Sequence, residues 1–411
     1  MKSTGVVAVA LAAVALPLAA GAAPKETVLY DFQRSTDGGL PLGGVIMDGK
    51  GNLYGTASIG GTASNVGSAF ELVRPKAKQP WVLMPLHDFT GGADGATPEA
   101  PLMMDAAGAL FGTTTAGGSA NAGTVFELTV KKGVWSEQVL YGFAGGEDGY
   151  APHSGLIMDS SGNLYGTTEW GGGSGTGCEL NNVVLYCGTV FELSPPAKKK
   201  GKWAEKVLYS FQGGNDGARP MAGLVMDAGG ALYGTTQYGN PFGFGTVFKL
   251  TPSGSGGSTT WTESLVHSFT DGGGAGPVSP LIFDGAGNLF GATNEAVFEI
   301  GGPGGSGEFT VPFQLGDGDG YNPGGLLLDG SGDLYALNMN AGTYNAGNIF
   351  ELSPPASGTV WNFSTLYSFG GVANDGGNPT GNLVMNSKGT MFGETNSGGT
   401  HNLGTIFSFV P

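Results

Sequence analysis

The chain has 411 residues, 80 of them glycine and only 12 % charged, with 33 acidic against 17 basic side chains and a formal net charge of -16. The glycines follow no three-residue period, which excludes collagen, and the acidic balance excludes nucleic acid and anionic membrane surfaces as partners, since neither is attracted to such a face. The length would suit two average domains, yet the repetition along the chain predicts one large all-β domain over 23–411.

The chain opens on Lys2, an apolar run from Val6 to Ala20 and the small residues Ala20-Gly21-Ala22. This is the layout of a secretory signal peptide over 1–22, so the sequence predicts export and no membrane insertion after cleavage. The expected location is extracellular, at the cell surface or in the periplasm.

Next comes Val28-Leu29-Tyr30-Asp31-Phe32, a strand pattern with no hairpin partner beside it. The unit that follows is seen most clearly at Gly155 to Thr168, where apolar alternation runs into Asp159-Ser160-Ser161-Gly162-Asn163 and then Leu164-Tyr165-Gly166-Thr167-Thr168. Asp, Gly and Asn tolerate the conformations that tight hairpins need, so the stretch reads as two antiparallel strands. Its Asp recurs at Asp48, Asp105, Asp159, Asp227, Asp284 and Asp329 and as Asn386, at spacings of 57, 54, 68, 57, 45 and 57 residues. Each copy is followed by a third strand such as Thr189 to Leu193, mostly across a Gly-rich loop, and all but the last by a fourth, which in five copies opens near Trp81, Trp135, Trp203, Trp261 or Trp361.

Four short strands per repeat, without helical periodicity, predict a seven-bladed β-propeller of four-stranded blades at approximately 40–89, 97–143, 151–211, 219–269, 277–313, 322–369 and 378–411. The seventh repeat stops after its third strand. The spare strand at 27–32 is therefore expected to pair with the last blade and close the ring.

Naming the strands A to D from the axis outward, the D-to-A and B-to-C connections share one face. That face carries the Gly-Gly-x-Asp-Gly-x-x-Pro loops and the longest insertion, Glu169 to Gly188, with Trp170, Cys178 and Cys187. An exported chain makes a Cys178–Cys187 disulfide the expectation over a two-ligand metal site. Blade five has almost no B-to-C loop, so the rim is expected to have a wall at blade three and a notch at blade five.

The composite Gly-Asn-Leu-Tyr-Gly-Thr-Thr, a Gly-Gly loop, then Gly-Thr-Val-Phe-Glu-Leu, best seen over Gly162 to Leu193, resembles the GloVer (Gloeo-Verruco) tandem repeat family of exported bacterial proteins. The resemblance implies a secreted or cell-surface repeat protein and assigns it no reaction. Members often end in an anchoring tail; this chain ends at Pro411 inside the last blade, which favours release.

Functional candidates are the features that the repeat does not demand. Tyr150, Trp170, Tyr238, Tyr321 and Tyr344, with Phe242 and Phe244, fall on the loop-bearing face, where flat rings suit sugar stacking or peptide capture, or else pack the loops that carry them. His87 and His267 take a strand-D slot held by tyrosine in other blades; His153 and His401 fall on the loop face without a sequence partner. The recurrent Asp94, Asp148, Asp216, Asp319 and Asp375 read as turn chemistry, with Ca²⁺ as the alternative; Asp317 and Asp319 form the densest pair. No catalytic residue or cofactor is assigned. The expectation is a non-catalytic, monomeric module binding extracellular glycan or protein, and the alternative is a secreted polysaccharide hydrolase or lyase with carboxylates at the channel mouth. An enzyme should break the repeat with matched acids near the axis, and the loop acids instead follow it.

Overall fold

The computed structural model describes residues 25–411 apart from 34–36, 62–64, 77–78, 174–178, 181–182, 185–186, 199–200, 240–242, 255–258, 271–274, 278, 317–318, 320 and 358–359. The signal-peptide segment 1–22, Cys178, Phe242 and Asp317 thus lie outside the described residues. Among the described residues no helix is long and apolar enough to cross a membrane.

Seven four-stranded antiparallel sheets stand in a ring, each ordered A-B-C-D. Blade three shows the pattern, with strand A at Ile157–Met158, B at Leu164–Thr168, C at Thr189–Ser194 and D at Ala204–Ser210. The A-to-B turn forms because Asp159 Oδ1 accepts the backbone N–H groups of Ser161 and Asn163 at 2.8 and 2.9 Å. Gly166 is required in strand B because the Phe191 ring of strand C lies across it; an added Cβ would meet Phe191 Cζ at 2.6 Å.

The last blade takes its outer strand from the other end of the chain. Lys25–Asp31 pairs antiparallel with Thr405–Val410, from Lys25 opposite Val410 to Asp31 opposite Thr405, so the N-terminal strand closes the ring as predicted.

The core sits between blades, not within them. Seven apolar clusters occupy the seven seams among the described residues; the one between blades two and three joins Phe111, Val125 and Phe143 to Leu156, Leu164 and Phe191. A strand-D tryptophan reaches back onto the preceding blade's strand B, as in Trp135 against Tyr54 at 6.4 Å and Trp261 against Tyr165 at 6.1 Å. Each C–D pair carries a register shift, such as that between Val190 and Phe191. The extra residue re-aims the end of strand D, and Tyr209 there donates to Asp216 at 2.9 Å.

Candidate functional site

In blades two to four the D-to-A loop and the start of the B-to-C loop meet on the loop face and form a short bridge. The bridged residues are Ala96 and Ala116 in blade two, Tyr150 and Trp170 in blade three, and Ala218 and Tyr238 in blade four. The residue before the loop proline is left-handed in these blades, with φ of 56° at Thr97, 54° at Ala151 and 58° at Arg219. Proline then fixes the chain so that the next residue, Glu99, His153 or Met221, enters the wall of a cavity of about 480 Å³ at the channel mouth.

Across blades two to four these positions hold charges that other blades lack. His153 Nδ1 lies 2.9 Å from Glu99 Oε2, and its Nε2 lies 2.8 Å from Glu169 Oε2. Arg219 Nε donates to Glu169 Oε1 at 2.8 Å, and its Nη2 makes a second, shorter contact with the same oxygen. The Arg219 backbone is held by the Cys187 carbonyl at 2.8 Å. Burial opposes the charge on His153, but the hydrogen bonds and charges of Glu169 and Glu99 prevail, and its pKa is raised to about 9. Burial likewise pushes Glu169, only 4 % exposed, upward, yet its bonds to His153 and Arg219 hold it below the usual carboxylate range.

Three of the predicted aromatics join this cluster. The Tyr150 and Trp170 rings stack with centroids 6.5 Å apart and planes 21° from parallel. The Arg219 guanidinium lies over both Trp170, at 4.6 Å, and Tyr238, at 5.1 Å. The result is a ladder from Tyr150 through Trp170 and Arg219 to Tyr238, in which Tyr238 stays 46 % exposed. Trp170 thus packs between the Tyr150 ring and the Arg219 guanidinium. Tyr321 and Tyr344 stand on blade six, away from the ladder, and Tyr344 is 56 % exposed.

The recurrent loop acids do turn work. Asp148 accepts from Tyr141 at 2.8 Å, Asp375 from Tyr367 at 2.9 Å, and Asp94 sits 3.3 Å from His87 in the same slot. Asp319 accepts the Gly316 N–H at 3.1 Å. Among the described residues no group of three or more His, Cys, Asp or Glu is placed to hold a metal. The reading that all acids follow the repeat needs correction, however: Glu99 and Glu169 depart from it and converge on His153. Sequence reasoning missed these two and Arg219. The signal was present, because the aligned positions are Leu42, Met221 and Thr380 for His153 and Glu99, and Ser58, Thr115 and Gln237 for Glu169.

Comparison with known proteins agrees with this architecture. The Gloeobacter/Verrucomicrobia repeat matches residues 19–179, and the same four-stranded unit continues beyond them. No curated protein matches the chain. Among solved structures, the extracellular domain of a protein assigned as a one-component system of B. thetaiotaomicron aligns with a TM-score of 0.54 at 9 % identity, over 92 % of this chain and 40 % of that one. A protein assigned as an oxidoreductase (glucose dehydrogenase) from Thermus thermophilus aligns at 0.47 and 11 % identity, over 94 % of this chain and 100 % of that one. A gluconolactonase from Xanthomonas campestris aligns at 0.42 and 15 % identity, over 76 % of this chain and 86 % of that one. At these identities the likeness concerns the fold alone.

Proposed function

We propose that this chain, a ring of Gloeobacter/Verrucomicrobia-type repeats, is an exported, non-catalytic binding module that takes a glycan or protein ligand on its loop face, at the channel mouth beside His153. The observation that carries the reading is mutual saturation. Both His153 nitrogens are given to carboxylates, at 2.9 and 2.8 Å, so the imidazolium has no lone pair free to accept a proton. Glu169 is held ionised by two cations and has no proton to give. Such a network fixes shape and polarity in advance, which serves recognition.

The chemistry favours a neutral, hydroxyl-rich ligand. Two acids and two bases cancel at the site, so a charged group gains little from the cluster as a whole. A cavity of about 480 Å³ falls within the usual range for small ligands, and the exposed Tyr238 ring, at the end of the ladder that runs through Arg219, offers a flat apolar surface on the same loop face. A glycan array run beside an activity screen on soluble polysaccharides tests this. Binding without turnover is expected, weakened about 3- to 10-fold by Tyr238→Ala. Turnover of any glycan would overturn it.

One observation favours the second reading, a polysaccharide hydrolase or lyase: Glu99 and Glu169 are repeat-breaking carboxylates on either side of one histidine at the channel mouth. Loss of turnover without loss of binding in Glu99→Gln would establish that reading. Export as a single ring, with a Cys178–Cys187 bridge in the blade-three loop, belongs to the same proposal. Mass spectrometry of the secreted chain without reductant, expected to show a start at Ala23 and no free thiol, tests both points.

A further inference from the structure

One position on strand D divides the blade seams into two chemical kinds. It is Glu137, Glu205, Glu263 and Glu26 in blades two, three, four and seven, opposite Leu128, Leu193, Leu250 and Phe409 of strand C. The same position is Leu83, Phe309 and Phe363 in blades one, five and six, opposite Leu72, Ile300 and Leu352. Phe309 lies flat on His267 of the preceding blade, at 3.7 Å and 4°, and Phe363 on Phe313 at 4.7 Å and 8°.

Where the residue is glutamate, the charge acting on it is the loop aspartate of the preceding blade: Asp94 on Glu137, Asp148 on Glu205, Asp216 on Glu263 and Asp375 on Glu26. The remaining titratable group at each seam is the strand-D residue bonded to that aspartate, namely His87, Tyr141, Tyr209 and Tyr367. In all four glutamates Oε1 is buried without a hydrogen-bond partner among the described residues, and so is Oδ1 of Asp216 and of Asp375. A buried carboxylate oxygen without a partner near a second carboxylate is costly, and one proton held between the two groups leaves one negative charge in place of two and supplies the missing hydrogen bond.

We infer that each of these four seams holds one proton, donated by the strand-D glutamate toward the loop aspartate of the neighbouring blade, so that the ring packs tightest in mild acid and loosens as the protons leave. Burial first, and the aspartate charge second, raise Glu26, Glu137 and Glu205 to about 7 and raise Glu263 in the same direction. An unfolded glutamate titrates near 4.5, so folding takes protons up; the contribution is complete below that value and is lost as pH rises through about 7. The seams with Leu83, Phe309 and Phe363 are built-in controls with nothing to titrate at that position.

The test is thermal unfolding of the full chain from about pH 5 to about pH 9, for the unaltered protein and for Glu205→Gln with Glu263→Gln. Glu394 and His153 also shed protons in this range, so the readout is the difference between the two proteins. The unaltered chain is expected to lose several degrees on going from mild acid to mild alkali, and the double variant to lose less, the difference being about half of what the four seams contribute, since distant seams act additively. A Glu205→Leu change, copying blade one, keeps the test alive if the amides disturb folding. Infrared spectra of the unaltered protein supply a reading without mutation, with a neutral-carboxyl band expected in mild acid and gone in mild alkali. An unchanged pH response in the variants, absence of that band, or restoration of alkaline stability by added calcium would overturn the shared proton.

Discussion

The Arg219 guanidinium lies 4.6 Å from the Trp170 ring centroid, although the two residues stand on different blades and 49 positions apart. That contact locks blade four to the long loop of blade three and carries a cation to Glu169, which would otherwise be buried beside one partner fewer. Arg219→Ala is expected to cost about 2–4 kcal/mol in chemical denaturation and to weaken ligand binding together with stability. Arg219→Lys restores the charge without the flat stacking surface and should recover only part of the loss. Full recovery would show that charge alone matters.

His153 gives a pH signature of its own. Its folded pKa of about 9 lies above the usual 6.5, so its stabilisation is complete below about 6.5 and is lost as pH rises through about 9. His153→Gln should therefore be less stable than the unaltered chain by up to about 3 kcal/mol at neutral pH and nearly equal to it above pH 10. Denaturant midpoints of the two proteins across that range check the convergence.

Glu394 breaks the repeat in blade seven, where Thr56, Thr113, Thr167 and Thr235 stand in other blades. It is fully buried, accepts the Gly44 N–H at 2.8 Å, and is raised by burial from 4.5 to about 8. Its contribution is therefore complete below about 4.5 and lost as pH rises through about 8. Glu394→Gln keeps the acceptor for Gly44 and should match the unaltered chain near pH 4, while being more stable than it by about 2–5 kcal/mol near pH 9. Equal stability at both pH values would mean that water reaches this carboxyl.

Phe32, fully buried just after the closing strand, meets Phe70 of blade one at 5.6 Å. Phe32→Ala is expected to cost about 3–5 kcal/mol and to release amide protection first along Thr405–Val410. Hydrogen exchange that remains slow there would show that the propeller closes without this side chain.

The fold was readable because the repeat states it seven times, with an Asp-x-x-Gly turn that becomes Asn386-x-x-Gly in the last copy, and because a spare strand at one end matches a vacancy at the other. The site was half readable. Tyr150, Trp170 and Tyr238 stood out as aromatics the repeat does not need, and the structure brings them together. His153 was placed on the loop face but without a partner, and Glu99, Glu169 and Arg219 were hidden, because no two of the four are near in sequence and each is an ordinary polar loop residue until the ring sets three blades side by side. Aligning charges, as well as rings, on the repeat would have shown all four departing from it. Asp319 accepts a backbone N–H on its carboxylate, which is the turn role that the recurrence of the loop aspartates suggests.

Because Lys25 is paired with Val410, the order of synthesis and the order of assembly conflict. A chain made from its N-terminal side onward carries Lys25–Asp31 unmated past six blades until Thr405–Val410 is made. Until then the seam between blades seven and one, with Phe32, Phe70 and Ile406, is open on both sides. Growth that halts anywhere before Thr405 therefore leaves two unmated edges instead of a smaller ring.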